Sequence, residues 1–333
     1  MKKAIHSPAC GEVKDSLYSW GFVIAVTTVA IPLIFSQFPP YYIKLASSIM
    51  IMILYGVSFN LLYGYTGYLS FGQAAYFGSG VYVSALILRS TSSLPLALLG
   101  GSIAPALLAI VFGYFCVKRS KLYFAMLTLA FAQLIYTLIF KWRSLTGGDD
   151  GIVVPRIPYL HNPLTFYFFI LALVLVSVFI HWVIVHSPFG HMLKSICQNQ
   201  ERTEFIGVPV EKQVLVAFII AGFFGGLAGA IYAPFIGVIS PKLVHWTMSL
   251  TPVIMVVFGG AKHFWGPAIG AIVYIVLKDI ITLYTDNWLL VFGLMLLIIV
   301  LISPRGVMGV LENIGTYIKK NITKANLMKE RIN

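Results

Sequence analysis

"GYTGYLSFGQAAYFGSG", residues 64–80, holds five glycines and one glutamine, Gln73, between two strongly apolar stretches. Lipid favours an unbroken apolar helix, because a backbone group left unbonded in hydrocarbon costs several kcal/mol. Glycine loosens a helix. A stretch this rich in it, set among membrane-length apolar runs, therefore predicts a segment that packs closely, unwinds, or does both.

The surroundings set the class. Of 333 residues, 59% are hydrophobic and only 10% charged, against about 25% charged in a soluble domain. Apolar runs of span-like length recur at about 18–36, 41–63, 66–88, 94–116, 121–140, 164–185, 213–236, 248–258, 264–284 and 288–303. The reading is an all-α polytopic membrane protein of about ten segments. Its parts are an N-terminal segment 1–17, a membrane domain 18–303 and a basic tail 304–333, with the first run an uncleaved span. The run "MSLTPVIMVVF" is too short to cross alone and predicts a re-entrant or broken helix. Cys10, Cys116 and Cys197 are scattered singly, the pattern of neither a zinc site nor a disulfide framework.

Ten passes put both termini on one side. With that side cytoplasmic, sixteen of the 23 Lys and Arg residues fall inside and seven outside, as the positive-inside rule requires. The net charge of +12 is thereby explained by basic cytoplasmic loops, and no nucleic-acid partner is called for. Five spans on each side of the 141–163 loop predict two halves of opposite topology. Each then has its compromised segment, 66–88 or 248–258, in third place. Paired interruptions of this kind point to a substrate path near the midplane.

Two readings fit the glycines. Small residues four apart, such as Gly222 and Gly226, let helix backbones approach, and packing alone accounts for most of them. The concentration in 64–80 also fits a segment that lines a path. There Asn60, Gly64, Thr66, Gly67, Ser70, Phe71, Gly72 and Gln73 would supply polar groups and exposed backbone without charge. No Asp, Glu or Arg sits mid-span, which argues against proton- or sodium-coupled transport. His181, near a span end, reads as a satisfied or interfacial residue. No nucleophile–base pair, metal cluster or G-x-x-x-x-G-K-[ST] loop occurs, so neither an intramembrane enzyme nor its own P-loop ATP site is expected. Either the chain is a passive channel, or its energy arrives through another subunit.

Residues 186–212 form the longest polar connection, predicted to be cytoplasmic. "SPFG" is turn chemistry. Apolar Met192, Leu193, Ile196 and Phe205 then recur at roughly helical spacing until Gly207 and Pro209 stop the helix. An interfacial helix, a solvated connector and a docking element all fit.

Several motifs now occur in order. They are "GYTGYLSFGQAAYFGSGVY", "LTGGDDGI" at 145–152, "SPFGHMLKSICQNQERTEFIGV", "AFIIAGFFGGLAGAIYAP", "VIMVVFGGAKHFWGPAIGA" and "SPRGVMG". Together, over roughly 45–310, they resemble the permease subunits of bacterial ABC importers for branched-chain amino acids, and the M-type member of the paired permeases in particular. His191 stands where the family commonly has Arg, and Thr203 where a small residue is usual.

The resemblance implies a non-enzymatic transport subunit of the bacterial inner membrane, without a cofactor of its own. Its partners would be a second homologous permease, two cytoplasmic P-loop ATPases that bind ATP, an extracytoplasmic binding protein and membrane lipid. It further implies ATPase docking through Gly190, His191, Lys194, Asn199, Glu201, Arg202 and Gly207. Gly147, Gly148, Asp149, Asp150 and Gly151 would meet the binding protein, although a solvated glycine-rich turn fits them equally. Urea and short-amide permeases share the motifs, and an ATP-independent channel for a small neutral solute is the remaining alternative.

Overall fold

Residues 40–155, 162–285, 287–302, 306 and 308–309 are described by the computed structural model. The run at 18–36, the segment 1–17 and most of the tail lie outside them. The described residues form twelve α-helices: α1 (Pro40–Thr66), α2 (Gln73–Thr91), α3 (Leu94–Cys116), α4 (Lys121–Lys141), α5 (Arg143–Thr146), α6 (Pro163–His186), α7 (Pro188–Gln198), α8 (Gln200–Phe205), α9 (Val210–Ile236), α10 (Trp246–Gly259), α11 (Gly266–Tyr284) and α12 (Trp288–Ile302). Two short strands, β1 (Ile152–Val153) and β2 (Val238–Ile239), pair antiparallel.

Six helices among the described residues, α1, α3, α4, α6, α9 and α11, are long and apolar enough to cross a membrane. The run at 248–258 becomes α10, whose 14 residues extend about 21 Å at 1.5 Å per residue. That is short of a hydrocarbon core of about 30 Å. Helix starts follow local chemistry. Proline opens α6 and α7, where its missing N–H costs nothing, and Asn162 caps α6 by accepting from the Leu164 N–H at 3.0 Å.

Two 27-residue helices form the centre. In α1 78% of the most apolar window is buried, and in α9 67%, against 33–39% in the other four. Helix α1 touches α6, α7, α9, α10 and α11, while α9 packs on α2 and α3. At the α2–α3–α9 junction, any Cβ on Gly80 would run into the Gly226 and Gly101 carbonyls, so these helices meet backbone to backbone. The Ser84 hydroxyl crosses that junction to the Ala230 carbonyl at 3.0 Å. Much of the outer surface is apolar, with Leu99, Leu107, Met126 and Phe179 exposed.

Candidate functional site

Both central helices end in the same way. Thr66 closes α1 by bonding the Leu62 carbonyl at 2.5 Å, and Gly67 then turns left-handed at φ 73. Ile236 closes α9, and Gly237 turns left-handed at φ 76. Glycine adopts this conformation freely, whereas a Cβ would oppose it. After each turn the chain leaves the α-helical path and re-enters the bundle.

The first re-entry runs along α4. Tyr68 sets its ring edge on Phe124 with centroids 5.1 Å apart, and Lys121 Nζ lies 5.4 Å from the Tyr68 ring centroid. Further along, the Phe71 N–H donates to Thr128 Oγ1 at 3.1 Å, and the Gly72 N–H to Ser70 Oγ at 3.2 Å. Helix α2 starts at Gln73. The second re-entry comes from the opposite end of the bundle. β2 is held by β1, Pro241–Leu243 make one 3-10 turn, and His245 packs its ring 5.0 Å from Tyr136. Helix α10 starts at Trp246. The two first turns meet where the Ala74 N–H donates to Ser249 Oγ at 2.9 Å.

The expected unwinding across 64–80 is therefore confined to 67–72. Asn60, Gly64 and Thr66 are helical in α1 because the Thr66 hydroxyl and the Gly67 N–H, 3.0 Å from the Tyr63 carbonyl, complete its last turn. Among the predicted path residues, Asn60, Thr66, Ser70, Gly72 and Gln73 are buried, while Gly67 and Phe71 are half-buried. Gly64 packs against the Ala261 carbonyl in the α10–α11 connection. Two of the polar side chains stand out: Asn60 Oδ1 and both amide atoms of Gln73 are buried without a hydrogen-bond partner. His181 is buried; its Nδ1 donates to the Ser177 carbonyl at 2.9 Å and its ring lies 4.1 Å from Phe224.

The single helix expected from His191 to Phe205 is two helices. Asn199, at φ −158, breaks it, and its side chain caps α8 through the Arg202 N–H at 3.0 Å. Helix α7 is amphipathic, with Leu193, Ile196 and Cys197 inward. Of the predicted docking residues, His191, Asn199, Glu201, Arg202 and Gly207 are exposed. Lys194 is half-buried, its Nζ 5.8 Å from the Tyr65 ring centroid. Gly190 is buried: a Cβ there would strike the Val185 carbonyl, so this residue packs α7 onto α6 and presents no outward surface. Thr203, also buried, bonds the Asn199 carbonyl at 2.8 Å.

Reasoning from charge and motif passed over the most protruding groups of this region. Phe205 is 91% exposed and Ile206 77%. The signal was available as two adjacent apolar residues immediately before Gly207. Of the two, only Phe205 falls in the roughly helical series with Met192, Leu193 and Ile196.

In the loop after α5, Gly147, Gly148 and Gly151 all have positive φ. They wrap a 3-10 turn that leaves Asp149 and Asp150 exposed and Gly148 buried. Gly151 abuts the Ile239 carbonyl, so this loop touches the second re-entrant segment. At the other end, the Tyr68 hydroxyl donates to Gln200 Oε1 at 3.1 Å, so α8 touches the first.

Comparison with known proteins yields a family model described as "Branched-chain amino acid transport system / permease component", which matches residues 41–300. The chain is similar to the high-affinity branched-chain amino acid transport system permease protein LivM of Salmonella typhimurium, 23% identical over 329 residues. That alignment covers 89% of this chain and 75% of the relative. The probable LivM of Methanocaldococcus jannaschii is 23% identical over 74% of this chain and 81% of its own. The probable LivH of the same organism is 27% identical over 43% and 47%. No solved structure matches.

Proposed function

From the premise that the chain belongs to the family of branched-chain amino acid transport system permease components, we propose how it works in an importer. It is an M-type permease, a transport subunit and not an enzyme, and ATP is hydrolysed on separate chains. A second permease resembling the LivH type completes the membrane path. An extracytoplasmic binding protein delivers leucine, isoleucine, valine or a related amino acid. Both termini face the cytoplasm, and ten segments form two inverted halves.

The observation that carries the reading is the meeting of two re-entrant segments from opposite ends, at the Ala74 to Ser249 hydrogen bond. Irregular backbone deep in a membrane protein is tolerated where protein or a polar route covers it. Helix starts at that depth are a recurring device of transporters. In this proposal the non-helical segment 67–72, with Gln73, is the inner gate, and 237–245 is the outer gate. Each gate touches one soluble partner's docking region: α8 bonds Tyr68 from the ATPase side, and β1 pairs with β2 on the binding-protein side. ATPase closure moves α7 and α8 and thereby the inner gate. Binding-protein docking on Gly147–Gly151 moves the outer one. Between the gates the buried lining is polar but uncharged, so a zwitterion passes without being trapped by a single strong charge.

The decisive experiment is mild-detergent co-purification of the tagged chain from its native locus, followed by reconstitution. The expected result is a second permease and P-loop ATPases in the complex, with ATP-dependent uptake of a branched-chain amino acid when the binding protein is added. Purification alone, under conditions that hold a control importer together, overturns it in favour of a channel.

A further inference from the structure

Buried polar side chains in a membrane bundle ordinarily find partners, because no water is there to replace them. Gln73 departs from this. It is fully buried, and neither Oε1 nor Nε2 has a hydrogen-bond partner. Beside the amide lies Gly225 of α9. A Cβ on that glycine would sit 3.3 Å from Gln73 Oε1, a tight contact, and 3.6 Å from Ser58 Oγ of α1, an ordinary one. Ser58 donates to the Tyr55 carbonyl at 2.8 Å, which leaves its oxygen able to accept. Three helices thus turn two polar groups toward one place that glycine keeps clear of a side chain.

The electrostatics of that place are one-sided. Gln73 is the first residue of α2, and the Ala74 N–H bonds Ser249 in the first turn of α10. Two helix N-termini therefore converge, each bearing a positive partial charge of about half an electron. Among the described residues, the carboxylates of Asp149 and Asp150 lie in the loop after α5, and those of Glu201 and Glu204 in α8. Glu211 lies at the start of α9, and Asp279 toward the end of α11. None belongs to α2 or α10. Gly225 is the sixteenth residue of α9, roughly 22 Å from its start, deep within a core about 30 Å thick.

We infer that Gln73, with the N-terminal turn of α2, takes the carboxylate of an amino acid in transit, and that Ser58 faces the ammonium of the same molecule, an inference that rests on the importer reading above. Gln73 Nε2 donates to the carboxylate, while Oε1 and the Ser58 oxygen beside it accept from the ammonium of the same zwitterion. The group is neutral, so it orients the substrate and releases it.

The test uses the assembled importer in proteoliposomes with binding protein, ATP and labelled leucine. Gln73→Leu keeps the size and removes the amide. Gly225→Ser places a hydroxyl against the amide and fills the cleared space. Each variant is expected to lower the maximal uptake rate at least tenfold while the half-saturating leucine concentration, set at the binding protein, is unchanged. Gln73→Leu is expected to melt no lower than the parent complex, since it removes an unpartnered group. If the parent moves no amino acid, the importer reading fails, and the subsite with it. If the parent transports and both variants stay within twofold of it, the amide holds a structural water only and the subsite is overturned. Should Gln73→Leu not assemble, Gly225→Ser decides alone.

Discussion

The Tyr68 hydroxyl donates to Gln200 Oε1 at 3.1 Å across 132 positions of sequence, and so ties the first residue of α8 to the non-helical segment that leads into α2. An exposed surface helix and the buried segment proposed as a gate share one hydrogen bond.

That bond can be removed without disturbing the ring. Tyr68→Phe retains the packing on Phe124 and loses only the hydroxyl. Expected is a drop of several-fold in amino acid moved per ATP hydrolysed, with hydrolysis itself preserved. Gln200→Ala should do the same, and the double variant should be no worse than either single one, as a shared interaction requires. Additive losses would show that the two residues act separately.

The exposed pair Phe205 and Ile206 makes a different prediction. Replacing both with serine removes no buried contact, so the permease should keep its melting behaviour, with a change within about 0.5 kcal/mol. The ATPase subunits should no longer co-purify. If they remain bound with native affinity, α8 is not the contact.

At Gly190 the effect should be on internal packing. Any Cβ meets the Val185 and Ile184 carbonyls, backbone that cannot rotate away, and strain of about 1–3 kcal/mol is expected for overpacking of this kind. Gly190→Ala should therefore lift α7 from α6, exposing 188–198 to protease and abolishing coupled uptake while the spans still insert. Protease resistance and uptake equal to the parent would refute the packing role.

Two glycines at the other end provide a matched comparison. Gly151 (φ +75) lies against the Ile239 carbonyl, whereas Gly237 (φ +76) has nothing within 4 Å of where a Cβ would stand. Gly237→Ala should cost only the left-handed backbone penalty, about 1–2 kcal/mol, and leave uptake near normal at permissive temperature. Gly151→Ala adds a collision that separates β1 from β2, so uptake should fall even with saturating binding protein. Equal behaviour of the two in uptake would mean that the β1–β2 contact does not act on the outer gate.

How much of this was legible beforehand follows from the range of the interactions involved. Helices α3 and α4 lie over the predicted runs almost residue for residue, because apolar length and flanking Ser, Lys and Pro are local properties of the chain. The short α10 and the disturbed stretch near Gln73 were visible for the same reason, and so was the family, through motifs in order. The sequence by itself could not determine that α1 continues past 63 through Gly64 and Thr66, since Gly64 serves contact with Ala261, a partner about two hundred positions away. Nor could it assign Gly190 to the interior and Phe205 to the outside, because the break at Asn199 rotates α8 relative to α7 and reverses which apolar residues face in. The meeting of Ala74 with Ser249, and the placing of Gly225 beside Gln73, belong to the tertiary structure alone. They arise where helices distant in sequence cross, and no local pattern encodes a crossing.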